Sequence, residues 1–367
     1  MIIFKKGENM KKVVFVNSSL SGGGAERVMT LLANQMAEDG YDVVMVLCVH
    51  NEEVYKLNEK VKYYYLNENN SNGLSMRLTR LKELRLAIKK EKPNVVISFM
   101  SQINMYSLIA TIGLGIKVIV SERNDPKQRS KVHRIAENIL YTLFADKIVF
   151  QTEFVKKYFN SFIQKKSEVI VNPIDVSILP QYTGRREKCI AGIGRLTSQK
   201  NFKLLIEAFV EFDKKISGYT LHIFGDGELL NELKQLVHER NMSQKIIFHG
   251  YVSNIAEQIC NYSMYVSTSN FEGISNAMLE AMAMGIPTIC TDCPVGGAKM
   301  MIKNGVNGLL IPMNDKNALI KAMIEIAADE KVAQNISHTA VQIGKKLDLK
   351  KITKKWEKLL EDDLYKA

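Results

Sequence analysis

Two glutamates, Glu272 and Glu280, stand with seven residues between them in Asn270-Phe-Glu-Gly-Ile-Ser-Asn-Ala-Met-Leu-Glu280. The run before them, Met264-Tyr-Val-Ser-Thr-Ser269, has the small and β-branched residues of a strand ending in polar side chains. Gly273 follows in a short loop, and Ser275 or Asn276 can cap a helix opening there. Such a junction turns unpaired helix N–H groups toward the carboxyl edge of a sheet, where phosphate binds readily. Glu272 lies in the loop beside that position. Glu280 lies about one turn into the helix, its side chain leaning back toward the N-terminus. Carboxylates repel phosphate, so their use is to either side of it. Each can accept hydrogen bonds from hydroxyls, one set on a ribose and the other on a sugar beyond a diphosphate.

Cations come from a second strand end, Gly192-Ile-Gly-Arg-Leu-Thr-Ser-Gln-Lys-Asn201, where Arg195 and Lys200 straddle a loop entering a helix. Converging on a pyrophosphate, they would neutralise its charge and stabilise it as a leaving group. The competing reading is ordinary surface bases in a chain of net charge +11. Gly22, Gly23 and Gly24 follow the first strand and let backbone approach a ligand closely, or make a tight turn. They do not form the dinucleotide fingerprint. Three further strand ends carry Phe224-Gly-Asp-Gly-Glu228, with Asp226 expected to cap a helix, Phe248-His-Gly-Tyr-Val252, and Ser121-Glu-Arg-Asn-Asp-Pro126. His249 reads as a packed or surface histidine, and His133 as lying on a solvated helix. Cys290 and Cys293 form a C-x-x-C without a second pair or a helix start, so strand-end cysteines beside a turn is the reading.

Glu-x7-Glu within Phe271-Glu-Gly-Ile-Ser-Asn-Ala-Met-Leu-Glu-Ala-Met-Ala-Met-Gly-Ile-Pro287, together with Gly-Arg-x4-Lys-Asn, resembles the retaining glycosyltransferases of family 4, which have the GT-B fold. The resemblance implies that Glu272 faces the transferred sugar and Glu280 the ribose. It implies that Arg195 and Lys200 hold the diphosphate, with Gly194, Gly273, Ile274, Ser275 and Asn276 completing the donor site. Gly250, Tyr251 and Val252 match the region that cradles the nucleobase, and Gly22 to Gly24 a loop facing donor diphosphate and acceptor. Several relatives carry a sugar-contacting histidine near Ser121–Pro126. This chain has Glu122 and Arg123 there, which are expected to shape the acceptor and sugar pockets. In the family the acceptor attacks on the same face while the departing phosphate helps take its proton. Glu272 would bind sugar hydroxyls without a covalent bond.

These loops need rigid supports. From Lys11 to about Val171 short apolar strands (Val13–Val16, Val43–Leu47, Val95–Ile97, Val118–Val120, Ile148–Phe150) alternate with helical periods, as in a parallel, doubly wound sheet. The same grammar restarts after Asn172-Pro-Ile-Asp175, with strands at Ile190–Gly194, Thr220–Phe224, Ile246–Phe248, Met264–Ser267 and Thr288–Cys290. The expectation is an α/β chain of two Rossmann-like domains, 1–180 and 181–349, facing across a cleft. By resemblance a last helix over 350–367, centred on Lys351–Leu364 with Trp356, crosses back onto the first domain. At 367 residues the chain fits two ordinary domains. Residues 1–9, preceding a second methionine at Met10, read as a dispensable extension.

No apolar run approaches the ~20 residues of a membrane span. Arg77, Arg80, Lys82, Arg85, Lys89, Lys90 and Lys92 interleave with Leu74, Leu78, Leu81, Leu84 and Ile88. That pattern is either a basic amphipathic helix for an anionic membrane surface or a solvated helix face. Nucleic acid is not expected, since no aromatic stacking platform accompanies the charge. No Asp-x-Asp stands where a metal-diphosphate bridge would need it, so no metal and no cofactor is expected. The reading is a cytoplasmic transferase, peripheral on the inner face of the membrane. It would move a hexose or N-acetylhexosamine from a UDP-sugar to a glycan or undecaprenyl-diphosphate-linked acceptor in surface polysaccharide synthesis. Alternatives are a GDP-mannose donor, a GT-B-shaped UDP-sugar 2-epimerase, a catalytically silent binding subunit, and a hydrolase, which would need no basic clamp.

Overall fold

A computed structural model describes residues 11–66, 73–180, 182 and 184–361. Residues 1–9 and the end of the expected last helix at Leu364 lie outside these. The chain divides into two compact units, Met1–Pro173 with Leu349–Ala367, and Ile174–Asp348.

In the first unit the elements are β1 (Lys12–Asn17), α1 (Gly24–Glu38), β2 (Asp42–Leu47), β3 (Lys62–Tyr65), α2 (Leu74–Glu91), β4 (Val95–Phe99) and α3 (Ser101–Thr111). They continue with β5 (Lys117–Glu122), α4 (Lys131–Phe144), β6 (Lys147–Phe150), α5 (Glu153–Tyr158), α6 (Ser161–Lys165) and β7 (Ser167–Val169). All seven strands pair in parallel in the order β3-β2-β1-β4-β5-β6-β7. Strand alternation sends Val14, Val16, Val44, Val46 and Val96 to one face, where they pack with Leu84 and Ile88 of α2 and Ile103 of α3. α2 therefore uses apolar residues of its periodic stripe on its own core. Its Arg85 donates to the carbonyls of Ala110 and Ile112 at 2.7 and 2.9 Å.

The second unit runs β8 (Glu187–Ile193), α7 (Phe202–Asp213), β9 (Thr220–Phe224), α8 (Leu230–Glu239), β10 (Ile246–Gly250), α9 (Ile255–Ile259) and β11 (Tyr262–Ser267). It continues with α10 (Asn276–Ala283), β12 (Thr288–Thr291), α11 (Gly297–Met301), β13 (Leu309–Ile311), α12 (Lys316–Ala328), α13 (Glu330–Ala340) and α14 (Gln342–Lys346). Its parallel order is β10-β9-β8-β11-β12-β13. Its core sets Leu205, Phe209 and Phe212 of α7 and Leu319 and Met323 of α12 against Ile190, Ile223 and Val266, all buried.

The last helix, α15 (Leu349–Glu361), belongs to the first unit. Trp356 is fully buried there, 5.5 Å from the ring of Phe99 at the end of β4. In both sheets the strand order reverses beside the first strand, between β1 and β4 and between β8 and β11. Open parallel sheets bind ligands at the carboxyl ends of such a pair.

Candidate functional site

β8 and β11 are neighbours, with Ala191 opposite Tyr265, so the loops that leave them must meet. They are laced together. Asn270 N–H donates to the Gln199 carbonyl and Asn270 Nδ2 to the Ser198 carbonyl, both at 2.8 Å. Gln199 Nε2 donates to the Phe271 carbonyl at 3.0 Å. Thr268 Oγ1 donates to the carbonyls of Lys200 and Asn201, each at 3.0 Å. This brings Lys200 Nζ onto Glu272 Oε2 as an ion pair, and Ser269 Oγ donates to the same oxygen at 3.2 Å. Arg195, on the same loop as Lys200, is exposed.

α10 opens beside the pair, capped by Ser275, whose Oγ accepts from Met278 N–H at 3.4 Å. Glu280 is buried on this helix. A small pocket lies against Glu272, Gly273 and Ser275 and runs back to Cys290 and Cys293. Burial pushes the Cys293 thiol up to about 11 and Cys290 higher still, so both stay protonated and inert. What meets here is an ammonium, a carboxylate and a helix N-terminus, with a guanidinium exposed on the loop that supplies the ammonium, which suits a polyanion joined to a hydroxylated group.

Glycines let these backbones touch. A Cβ at Gly225 would lie 2.1 Å from the Gly194 carbonyl oxygen, and one at Gly297 1.8 Å from that of Gly273. Asp226 does not cap α8 as expected. Its carbonyl accepts from Leu196 N–H at 2.8 Å, which holds it to the Arg195 loop, and its Oδ1 takes the Gly227 N–H at 2.7 Å. Gly250 ends β10 and accepts from Gly225 N–H at 2.7 Å, with Tyr251 exposed beyond it. His249 stacks on Phe224 at 4.4 Å and meets His222 at 2.9 Å.

The first unit's switch point holds Gly22 to Gly24 and a buried polar cluster. Gly23 caps α1, and the Glu26 carboxylate folds over it, 2.0 Å from where a Cβ would stand. Glu122 is enclosed. It pairs with Arg129 and accepts from Tyr141 and, at 3.1 Å, from Asn104. Arg129 also pairs with buried Glu137. Burial, then the charge of Glu122, pushes Glu137 up to about 7. Arg123 is buried too, its guanidinium 3.9 Å over the Phe99 ring and donating to Asn172 Oδ1 at 2.7 Å. Neither Glu122 nor Arg123 lines open surface. His133 is not on a purely solvated face: its Nε2 lies 2.7 Å from Ser101 Oγ. Sequence reading missed this cluster because its members, spread from Ser101 to Tyr141, form no motif.

Known proteins place this geometry. The sequence family described as Glycosyltransferase Family 4 matches residues 22–178, and Glycosyl transferases group 1 matches 181–342. A Campylobacter jejuni protein, GalNAc-alpha-(1->4)-GalNAc-alpha-(1->3)-diNAcBac-PP-undecaprenol alpha-1,4-N-acetyl-D-galactosaminyltransferase, is 28% identical over 96% of this chain and 99% of its own length. The amylovoran biosynthesis glycosyltransferase AmsD of Erwinia amylovora is 25% identical over 95% and 99%. Among solved structures, Anabaena HepE in complex with UDP superposes with a TM-score of 0.78 at 17% identity, covering 96% of this chain and all of that one. Sucrose-phosphate synthase of Thermosynechococcus elongatus reaches 0.84 at 16%, covering 97% and all. The chain is a glycosyltransferase of family 4, built from the two Rossmann-like domains of the GT-B fold.

Proposed function

We propose that the protein moves a hexose or N-acetylhexosamine, with retention, from a UDP-sugar to a glycan carried on a polyprenyl diphosphate at the inner face of the membrane. The observation that carries this is the Lys200–Glu272 pair beside the α10 N-terminus, with Arg195 exposed on the loop that supplies Lys200. A donor diphosphate would draw Lys200 from Glu272 and share it with Arg195 and the helix terminus. Glu272, so released, would accept hydrogen bonds from hydroxyls of the sugar, and Glu280, about one turn into α10, from those of the ribose. The bond from the anomeric carbon to the phosphate oxygen breaks as the acceptor oxygen bonds on the same face. The acceptor proton passes to the departing phosphate. Charge neutralisation by these cations needs no divalent metal.

The Campylobacter jejuni relative is named for an undecaprenol-linked acceptor and alpha-configured N-acetylgalactosamine transfer. Retention gives an alpha product from an alpha-configured donor. The UDP bound in Anabaena HepE supports the choice of base. Nucleotide release from a set of UDP- and GDP-sugars, with and without a lipid-linked acceptor and in EDTA, tests the reading, and NMR of the product gives its anomeric configuration. Acceptor-dependent UDP release and an alpha product are expected. Release from GDP-mannose alone, inversion, or loss of activity in EDTA would overturn the corresponding part.

A further inference from the structure

α4 is built inside out. A surface helix buries an apolar face and wets a polar one, but α4 turns Glu137 and Tyr141 inward, to Arg129, Ser101, Asn104 and Glu122. Its outward residues are Val132, Ile135, Ile139 and Leu143, exposed by 79, 53, 52 and 65%. At about 100° per residue these four fall within a single arc of roughly 90°, opposite the buried pair. The short helices α5 and α6 extend the patch. They are joined to α4 by Arg134 to the Tyr158 hydroxyl at 2.9 Å and by Asn160 to Thr142 at 3.2 Å. Each carries an outward phenylalanine, Phe154 at 67% and Phe162 at 68% exposure. Exposed large apolar side chains gathered on neighbouring helices in this way mark a contact with something apolar.

We infer that this face of the first unit, α4 with Phe154 and Phe162, inserts into the interfacial layer of an anionic lipid bilayer. The rim identifies the occupant. Residues 131–166 carry Lys131, Arg134, Lys147, Lys156, Lys157, Lys165 and Lys166 against Glu137, Asp146 and Glu153; Lys131, Lys157 and Lys165 are exposed, Lys156 and Lys166 donate to backbone carbonyls, and Glu137 is buried. An apolar strip set among lysines fits acyl chains beneath anionic headgroups. A second copy of the chain would bring the same cations against themselves. The expected basic helix, α2, is a poorer candidate, because Leu84 and Ile88 are committed to the core and, among its described side chains, the exposed large apolar ones are Leu78 and Leu86. The inference deepens the membrane-side part of the proposed function and rests on it for its purpose, the capture of a lipid-linked acceptor.

The test is flotation of the full chain with vesicles of phosphatidylcholine, with and without phosphatidylglycerol. Wild type should float with the anionic vesicles only. Ile135→Glu/Ile139→Glu should lower the bound fraction at least about tenfold while keeping the wild-type melt and the same nucleotide release with a water-soluble acceptor. Leu78→Glu/Leu86→Glu on α2 should float as wild type does. Undiminished flotation of the α4 variant, loss confined to the α2 variant, no flotation of wild type, or a wild-type dimer that the α4 variant splits without changing flotation would overturn the inference. Flotation without nucleotide release from any sugar donor sinks the transferase reading and leaves this surface standing. Release without flotation does the reverse.

Discussion

Replacing Lys200 by methionine keeps the stem that packs against Gly194, where a Cβ would meet Lys200 Cε at 2.8 Å, and removes the charge. Two costs follow, and they separate structure from chemistry. Stability loses the partner of Glu272. Breaking a fully buried pair costs about 3–5 kcal/mol, but these side chains keep 16% and 21% of their exposure. With that discount the loss is about 2 kcal/mol. Activity loses a full positive charge at the departing diphosphate. One such donor is worth about 10² to 10³ in kcat, and a formal charge belongs at the upper end, about 4 kcal/mol of barrier. The variant Lys200→Met/Glu272→Gln then decides between the two roles. With no carboxylate left unpaired, its urea-unfolding free energy should return to within about 1 kcal/mol of wild type. Its nucleotide release should stay at or below that of the single variant. A double variant that recovers turnover along with stability would show the pair to be a structural tie, and the assignment of Lys200 to the diphosphate would be wrong.

Three other outcomes follow from the geometry. Gly297→Ala drives a methyl into the Gly273 carbonyl, backbone against backbone, so it should cost about 1–3 kcal/mol and weaken UDP binding; unchanged affinity by calorimetry would detach that packing from the donor site. Trp356→Ala empties a fully buried position on α15 and should destabilise the first unit by about 3–5 kcal/mol in urea unfolding, and a loss below about 1 kcal/mol would contradict the packing of α15 on β4. Glu357, held by burial and then by Asp39 at about 7, is raised above its unfolded value near 4.5. Its contribution is therefore complete below pH 4.5 and fades as pH rises through 7. Wild type should lose about 1–2 kcal/mol between pH 5 and 8, and Glu357→Gln should flatten that slope in a melting series. A parallel pair of curves would rule out this origin.

The central strands were plain in the sequence because runs such as Val13-Val-Phe-Val16 are apolar on both faces, which only a covered parallel sheet explains. β3, β7 and β13 escaped: they are short edge strands, and Lys62-Tyr-Tyr-Tyr65 or Ser167-Glu-Val169 lacks that signature. Glu272, Arg195 and Lys200 could be named from local motifs at strand ends. That Lys200 grips Glu272 could not, because it depends on β8 lying next to β11, a long-range pairing with no local trace. The Glu122 environment was illegible for the same reason, its partners coming from α3, α4 and the segment before α4. α4 was legible only in part: His133 pointed to a helix with a solvated face, and that Glu137 and Tyr141 take the inside depends on partners distant in sequence.

The central claim, that Arg195, Lys200 and the α10 terminus hold a diphosphate, is tested most directly by a crystal structure with UDP. The account predicts phosphate oxygens within about 3 Å of the Lys200 ammonium and the Arg195 guanidinium beside Ser275, with Glu272 turned away from Lys200. UDP bound elsewhere, or the Lys200–Glu272 pair intact with no phosphate touching either cation, would contradict it.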